Sequence, residues 1–275
     1  MNTISRHVRV TVQGCVYYAA RSDDGQLFHY DYAPHGMEET NVEFVEHVVE
    51  IADVRQLSRP LQLEVEGASV LHHRSEVRRF YDAEELRRVG YPETAELVRS
   101  VTGASDVVVF DHNIRGRTER PKAPIADDIR PPVFHIHTDF TDKSAQARAA
   151  AVLGVTQASG RRLAAVNVWR PIAGPLRDCP LAICDASSVE KGDLLATDLL
   201  YPDRTGQIYY MAFNPAHRWY YASDMQPDEV WMFKNYDSAG QARSTPHTAF
   251  VDPTHYPVVA ARESVEFRVF AYFDD

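Results

Sequence analysis

Residues 133–140, with the sequence VFHIHTDF, begin a series of strand-like segments that decides the fold of this chain. Seven further segments, rich in β-branched and aromatic residues, follow at 163–172, 181–186, 207–214, 218–223, 229–236, 247–251 and 264–273. Only residues 144–154 (SAQARAAAVLG) are typical of a helix in this half. Many short strands without alternating helices favour antiparallel sheets in two layers. We therefore predict a mainly β fold whose core, residues 105–275, is a double-stranded β-helix (jelly roll) with flanking helices.

The first 104 residues predict an α/β elaboration at the N-terminal side of this core. Its predicted elements are strands at 8–20 and 61–72 and a helix at 83–101 with Asp82 as its N-cap. The core then begins with a short buried-type strand at 106–110, which a Pro- and charge-rich loop or lid at 115–132 follows. No internal repeat or clear linker divides the chain. We therefore expect residues 1–275 to form a single domain.

Composition and charge narrow the functional classes. The 275 residues are 44% apolar, enough for a substantial core, and the formal net charge is -10. No long Lys/Arg run is present to neutralise phosphates, so we expect no nucleic-acid partner. Three cysteines without paired spacing, and the lack of an apolar leader or a membrane-length apolar stretch, predict a cytoplasmic protein that does not bind membranes. We expect its partner to be a small molecule. The sequence does not indicate the oligomeric state.

A candidate metal site lies within the first strand-like segment. Side chains alternate along a strand with a period of two, so His135, His137 and Asp139 project to one face. His137 and Asp139 can thus bind one metal ion. A second imidazole would complete the 2-His-1-carboxylate set that is diagnostic of oxygen-activating iron(II). The candidates for that imidazole are His217, His247 and His255.

A basic residue further along the chain decides among these histidines. 2-Oxoglutarate chelates iron through its keto-acid end and needs a cation at its far carboxylate, which Arg provides and a hydroxyl can support. Arg262 and Ser264 share a strand face, and Arg262 follows His247 by 15 residues, whereas nothing similar follows His217. We therefore predict His247 as the third ligand, with Fe(II), 2-oxoglutarate and O2 as cofactor and cosubstrates. His135 is expected beside the ligands, because its use would lose the His-x-Asp spacing.

Five stretches of the chain together resemble one known enzyme family. They are HTDF (137–140), NVWRPIAGPLRDCPLAICDASSV (167–189), RWYYASDMQPDEVWMFKNYDS (218–238), PHTAFVDP (246–253) and RESVEFRVFAYF (262–273). Over residues 105–273 the chain resembles the hydroxylase/desaturase family that includes the fungal gibberellin desaturase, the aspergillic acid hydroxylase and the cephamycin-pathway 7α-methoxylation protein. The resemblance implies an iron(II)/2-oxoglutarate enzyme of secondary metabolism. It carries the metal motif to His137, Asp139 and His247 and the cosubstrate arginine to Arg262.

Five further residues are candidates for contacts with the substrate, each with a plainer alternative. Arg115 could bind a substrate or cosubstrate carboxylate, or form a surface salt bridge. Trp169 and Arg170 are consecutive on a strand, so one can line the cavity while the other braces the outside. Tyr210 and Trp219 could belong to an aromatic wall, although alternating aromatics are more often sandwich core.

Other functional classes stay open at this point. An iron oxidase could use the same three ligands without 2-oxoglutarate, and a non-catalytic jelly-roll binding module could hold a structural metal or none. A metal-dependent hydrolase is disfavoured, because no carboxylate is marked out as a general base. The preferred hypothesis is an oxygenase that hydroxylates, desaturates or cyclises a small secondary metabolite while it decarboxylates 2-oxoglutarate to succinate.

Overall fold

The computed structural model describes residues 11–22, 25–31, 35, 37–116, 129–154, 160–239, 244–254 and 260–274. Its strands are β1 Thr11–Ala19, β2 Leu27–Tyr30, β3 Phe44–Asp53, β4 Ala68–His72, β5 Asp106–Gly116, β6 Ile129–Arg130, β7 His137–Thr138, β8 Arg162–Pro171, β9 Leu181–Cys184, β10 Leu194–Leu200, β11 Thr205–Met211, β12 Trp219–Tyr221, β13 Glu229–Asp237, β14 His247–Ala249 and β15 Glu263–Phe273. Its α-helices are α1 Ala83–Glu85, α2 Tyr91–Thr102 and α3 Asp142–Leu153. Short 3-10 turns lie at Val54–Gln56, Ala186–Ser188 and Lys191–Asp193.

These strands form two sheets, and the predicted mainly β class is confirmed. One sheet has nine strands in the order β1-β3-β12-β9-β14-β7-β11-β10-β2, and the other has six in the order β4-β13-β8-β15-β5-β6. Most neighbouring strands are antiparallel, and β2–β10, β3–β12 and β5–β6 pair in parallel. Strands from the first 104 residues join both sheets, so this part of the chain extends the two layers.

Some predicted elements differ in extent from the observed ones. The strand predicted at 61–72 is confined to β4, and turns precede it. The helix predicted at 83–101 is divided by a π-helical turn, Leu86–Gly90, because Pro92 has no N–H for the carbonyl four residues earlier. Residues 8–10 of the first predicted strand and 117–128 of the predicted loop lie outside the described residues.

The six-stranded sheet has two chemically different faces, as the strand period of two requires. On β15, Val265, Phe267 and Val269 point outward and pack in apolar clusters with the helical segment Leu86–Gly90 and with α2. The alternate residues of β15, from Ser264 to Arg268, point between the sheets. The interior of the fold therefore contains charged groups along this strand.

Helix α3 covers one end of that interior. Thr141 and Ser144 form a capping box at its start, in which each side-chain oxygen accepts a hydrogen bond from the other residue's N–H. Ala145 and Ala149 pack against Phe270 of β15, since their small side chains permit close approach. Within the described ranges no helix is both long and apolar enough to cross a membrane.

Candidate metal centre

Three side chains from separate parts of the sequence converge between the two sheets. His137 begins β7, Asp139 directly follows that strand, and His247 begins β14. Strands β7 and β14 are neighbours, and His137 and His247 are paired across them. One ligand atom from each of the three residues lies within 4.8 Å of the other two. This is the donor set of two imidazoles and one carboxylate that the sequence predicted.

Backbone carbonyls orient both imidazoles. Nδ1 of His137 lies 2.8 Å from the carbonyl oxygen of His135, and Nδ1 of His247 lies 3.2 Å from that of Thr245. A proton on each Nδ1 satisfies these contacts and leaves the Nε2 lone pair for a metal. Burial lowers the pKa of His137 to about 4, and burial also lowers the pKa of His247. Both rings are therefore neutral, as metal ligands must be.

The carboxylate of Asp139 is held by one of its two oxygens. Oδ2 accepts hydrogen bonds from Nδ2 of Asn167 at 2.9 Å and from Nε of Arg268 at 3.1 Å. Oδ1 lies 3.8 Å from Nε2 of His137. Burial alone would raise the pKa of Asp139, but the Arg268 guanidinium outweighs it and holds this pKa well below its usual range. Asp139 is therefore an anion with one oxygen free to bind a cation.

Arg262 lies buried on the same inner surface, immediately before β15. Its Nε donates to Oγ of Ser264 at 3.0 Å, and its Nη1 donates to the carbonyl of Cys179 at 2.7 Å. No carboxylate of the described residues lies within salt-bridge distance of this guanidinium. Burial, followed by the charge of Arg115, lowers the pKa of Arg262 to about 10. A buried cation without a counter-ion is a receptor for an anionic ligand.

Two candidates from the sequence lie beside this buried cation. Arg115 is paired with Ser264 across β5 and β15, so its side chain starts on the same face. The ring of Trp169 lies 5.0 Å from Cζ of Arg262, and its indole Nε1 is buried without a partner among the described residues. The structure therefore places Arg115 and Trp169 next to the proposed cosubstrate residue Arg262.

Comparison with known proteins assigns the family. A family model described as "Oxidoreductase/YMDC permease-like domain" matches residues 15–272. The chain is 30% identical over 292 residues to the hydroxylase/desaturase efuI of Hormonema carpetanum, with 96% of each chain covered. The chain belongs to this hydroxylase/desaturase family. The predicted enzyme class, an oxidoreductase, is confirmed.

Two more likenesses agree with this hydroxylase/desaturase assignment. The alpha-ketoglutarate-dependent dioxygenase phiK of a fungal species is 32% identical over 238 residues, which cover 82% of this chain and 83% of that protein. The solved iron and alpha-ketoglutarate-dependent endoperoxidase NvfI superposes with a TM-score of 0.85 at 23% identity and covers 98% of this chain and 100% of that one. This structural likeness supports the predicted jelly-roll fold.

Other predicted residues of this hydroxylase/desaturase lie away from the metal centre. Arg170 points to the opposite face from Trp169, where its guanidinium contacts the carbonyl of His73 and lies 3.8 Å from Glu93. Trp219 is core, and its Nε1 donates to the hydroxyl of Tyr18 at 3.0 Å. The structure therefore brings neither Arg170 nor Trp219 to the metal centre.

The remaining histidine and tyrosine candidates pack around aromatic rings. His135 stacks on Phe44 at a centroid distance of 3.7 Å, and Tyr210 packs edge-on against the same ring. The side chain of His217 is buried and its Nε2 lies 3.1 Å from Oδ2 of Asp193, and among the described residues it belongs to no metal cluster. His255 lies outside the described residues.

The sequence interpretation missed three polar residues beside Asp139. Asn167 and Arg268 bind its carboxylate, and Oδ1 of Asn235 accepts a hydrogen bond from its backbone N–H at 2.9 Å. A signal for Arg268 was available, because the period of two places it on the same face of β15 as Ser264. Asn167 had a weaker signal, because it shares a face of β8 with Trp169, whereas Asn235 belonged to no pattern that pointed to a metal site.

Proposed function

We propose that this protein is an Fe(II)/2-oxoglutarate-dependent oxygenase in which His137, Asp139 and His247 bind the iron. The observation that carries the proposal is the convergence of two neutral imidazoles and one ionised carboxylate within 4.8 Å. This ligand set, with its other coordination positions open, is typical of non-haem iron(II) that activates oxygen. The family assignment supports the same activity.

The surroundings of the three donors fit iron. Each imidazole presents Nε2 because its Nδ1 faces a carbonyl, and Asp139 presents Oδ1 because Arg268 and Asn167 hold Oδ2. Such contacts to the ligands fix their orientation before the metal binds. A soft metal would instead select thiolates, and no cysteine belongs to this cluster of described residues.

The surroundings of Arg262 fit the far carboxylate of 2-oxoglutarate. Its guanidinium is buried with Ser264 beside it and lacks an acidic partner within the described part of the chain. A dicarboxylate would supply the missing negative charge and accept charge-assisted hydrogen bonds. Arg115 adds a second positive charge near this position, which favours the same ligand.

When bound, iron(II), 2-oxoglutarate and O2 supply the oxidation of a substrate C–H bond, coupled to formation of succinate and carbon dioxide. The chain's own residues have three tasks. His137, Asp139 and His247 orient their donor atoms, Arg262 and Ser264 hold the cosubstrate, and burial keeps bulk water from these groups. Placement of the substrate then decides whether it is hydroxylated, desaturated or cyclised.

The finer parts of the proposal concern the biological setting. The family supports a small secondary metabolite as the substrate, and the closer likeness to gibberellin, aspergillic acid or cephamycin enzymes stays a prediction. A cytoplasmic location and a single oxygenase domain, with residues 1–104 as an elaboration, are likewise retained as predictions.

The decisive experiment measures oxygen consumption and succinate release by the iron-loaded protein with a panel of small metabolites. Succinate formed in step with substrate oxidation is the expected result. Substrate oxidation without succinate would instead indicate an iron oxidase that takes all its electrons from the substrate. If the protein neither binds iron(II) nor turns over 2-oxoglutarate, the proposal fails and the non-catalytic binding module becomes the better hypothesis.

A further inference from the structure

A cleft of about 560 Å³ lies beside Asp139. Helix α3 forms one wall, the β10–β11 hairpin forms another, and Asp139 and Arg268 lie at its inner side. The volume is typical of sites for small organic molecules. Because the cleft reaches a proposed iron ligand, a molecule within it is close to the metal centre.

The cleft lies at the opposite end of β15 from the proposed cosubstrate pocket. Arg262 precedes the strand, whereas Arg268 lines the cleft, and the two are six residues apart. Six residues of strand span roughly 20 Å. Asp139, bonded to Arg268, is reached from the cleft side. The arrangement leaves the cosubstrate end and the cleft end free to hold two different molecules.

The acidic groups that line the cleft are all engaged. Asp139 and Asp111 bind Arg268, with Asp111 Oδ2 at 3.3 Å from Nη1, and Asp198 accepts a hydrogen bond from Gln207 at 3.0 Å. These contacts offset their negative charge or use their acceptor oxygens. Arg268 therefore offsets two of the three acids, whereas Asp198 keeps its charge beside a neutral amide, and the lining holds three carboxylates against four basic side chains.

Three basic side chains of the cleft have no acidic partner among the described residues. Lys143 and Arg148 of α3 and Arg204 before β11 also line it, and none forms an ion pair with another described residue. They produce a local excess of available positive charge in a protein whose formal net charge is -10. A positively charged cleft on a negatively charged protein attracts and orients anions.

Aromatic rings lie directly beside two of these cations. Cζ of Arg148 lies 5.6 Å from the ring centroid of Phe110, and Cζ of Arg204 lies 3.8 Å from that of Tyr201. Both rings line the cleft. The cleft thus presents apolar, flat surfaces next to guanidinium groups, a combination suited to an apolar skeleton that carries an anionic group.

We infer that this cleft binds the substrate of the proposed oxygenase and that the substrate is an apolar organic anion, with a carboxylate or a similar group held by Arg148 and Arg204. The inference rests on the proposed function, because it assigns the second organic molecule of that reaction. Binding here directs the apolar part of the molecule toward Asp139 while the anionic group stays at the outer cations.

The test uses two probes with the same ring system and nearly the same shape, the anion 1-naphthaleneacetate and its neutral amide, 1-naphthaleneacetamide. Calorimetry is performed without oxygen on protein saturated with Fe(II) and 2-oxoglutarate, so that Arg262 is already occupied. We expect the anion to bind roughly five- to tenfold more tightly than the amide, since each partly exposed charge pair contributes modestly. Equal affinities, or tighter binding of the amide, would overturn the inference.

Variants locate the binding to the cleft. The double variant Arg148→Gln/Arg204→Gln should reduce the preference for the anion to less than about twofold, whereas Arg88→Gln, an exposed change outside the cleft, should preserve it. Ala147→Trp should obstruct the cleft from α3 and weaken both probes. The assignment of the cleft would be contradicted if the double variant still preferred the anion, or if Ala147→Trp left the binding of both probes unchanged.

The visible absorption of the Fe(II)–2-oxoglutarate chelate, recorded in the same samples, separates the two proposals. If the chelate forms but the anion is not preferred, only the cleft assignment fails. If the anion is preferred in the cleft but no chelate forms, the proposed oxygenase function fails and the anion site stands.

Discussion

Nε of Arg268 donates a hydrogen bond of 3.1 Å to Oδ2 of Asp139. The same strand face carries Ser264, which accepts a hydrogen bond from Arg262. Two guanidiniums of one chain segment therefore have separate partners: Arg268 contacts a proposed iron ligand, and Arg262 is assigned to the cosubstrate. This separation allows their contributions to be measured independently.

Replacement of Arg268 by methionine should weaken iron binding. The variant leaves Asn167 as the remaining side-chain donor to Oδ2, so the carboxylate of Asp139 is less firmly oriented. Loss of such a contact typically reduces metal affinity about 10- to 100-fold. Competition with a chelator measures the iron affinity. Arg268→Lys restores the positive charge without the bidentate guanidinium and should recover part of the lost affinity. Unchanged iron affinity in Arg268→Met would remove the positioning role.

Replacement of Arg262 by alanine should instead weaken 2-oxoglutarate binding. Deletion of one partner from a buried, charge-assisted pair costs on the order of 3 kcal/mol, or about 100-fold in affinity. Titration of the visible chelate band in iron-loaded protein measures it. Iron affinity should stay close to that of the wild type, in contrast to Arg268→Met. A normal requirement for 2-oxoglutarate would show that another cation holds its far carboxylate.

Replacement of His137 or Asp139 by alanine should abolish iron binding at stoichiometric metal and, with it, succinate formation. Two remaining donors cannot complete the three-ligand site that this chemistry requires. Metal analysis after anaerobic gel filtration provides the measurement. His72→Ala is the matched control, because His72 is exposed and lies outside the cluster. Full turnover by either site variant would refute the proposed ligand set.

Asp237 should make a pH-dependent contribution to stability. It accepts hydrogen bonds from Arg162 and from Lys234, which is itself buried. Burial acts against ionisation, but these two cations outweigh it and hold the pKa of Asp237 far below its ordinary value. Because the folded-state pKa is lowered, the stabilisation is present above the unfolded value, about 3.9, and is lost as the pH falls through the folded value.

The variant Asp237→Asn tests this contribution by denaturant unfolding at several pH values. It should lower the free energy of unfolding by on the order of 3 kcal/mol at pH 7, since Lys234 loses a buried partner. The difference from the wild type should shrink below about pH 4. Asp106→Asn, at a carboxylate 62% exposed in its pair with Arg161, should change stability little. A difference that is constant with pH would contradict the electrostatic explanation.

Local patterns were sufficient for much of the fold and for the candidate ligands. Alternation along residues 133–140 and 264–273 predicted strands. β7 lies within the first range, and β15 covers the second and begins one residue earlier. The sequence also predicted Asp82 as an N-cap. The structure confirms it, since the Asp82 carboxylate accepts hydrogen bonds from the N–H groups of Glu84 and Glu85. These features depend on residues close in sequence, whose geometry a strand or a helix turn dictates.

The sequence did not predict which of Arg170 and Trp169 points to the interior between the sheets. Their alternation on β8 was clear, but which face is internal depends on α2 covering one side of the six-stranded sheet. The packing of that helix places the buried Arg170 on the helix side of the sheet, near Glu93, and leaves Trp169 beside Arg262 on the other side.

By itself, the sequence determined the chemical types of the proposed metal donors, their order and the strand-rich character of the chain, because residue type and a period of two are local properties. Only the tertiary structure decided that His137 pairs with His247 across two short strands and that Arg268 and Asn167 bind the carboxylate of Asp139. Those contacts join residues far apart in the chain. They arise from sheet pairing and helix packing, which no single segment specifies alone.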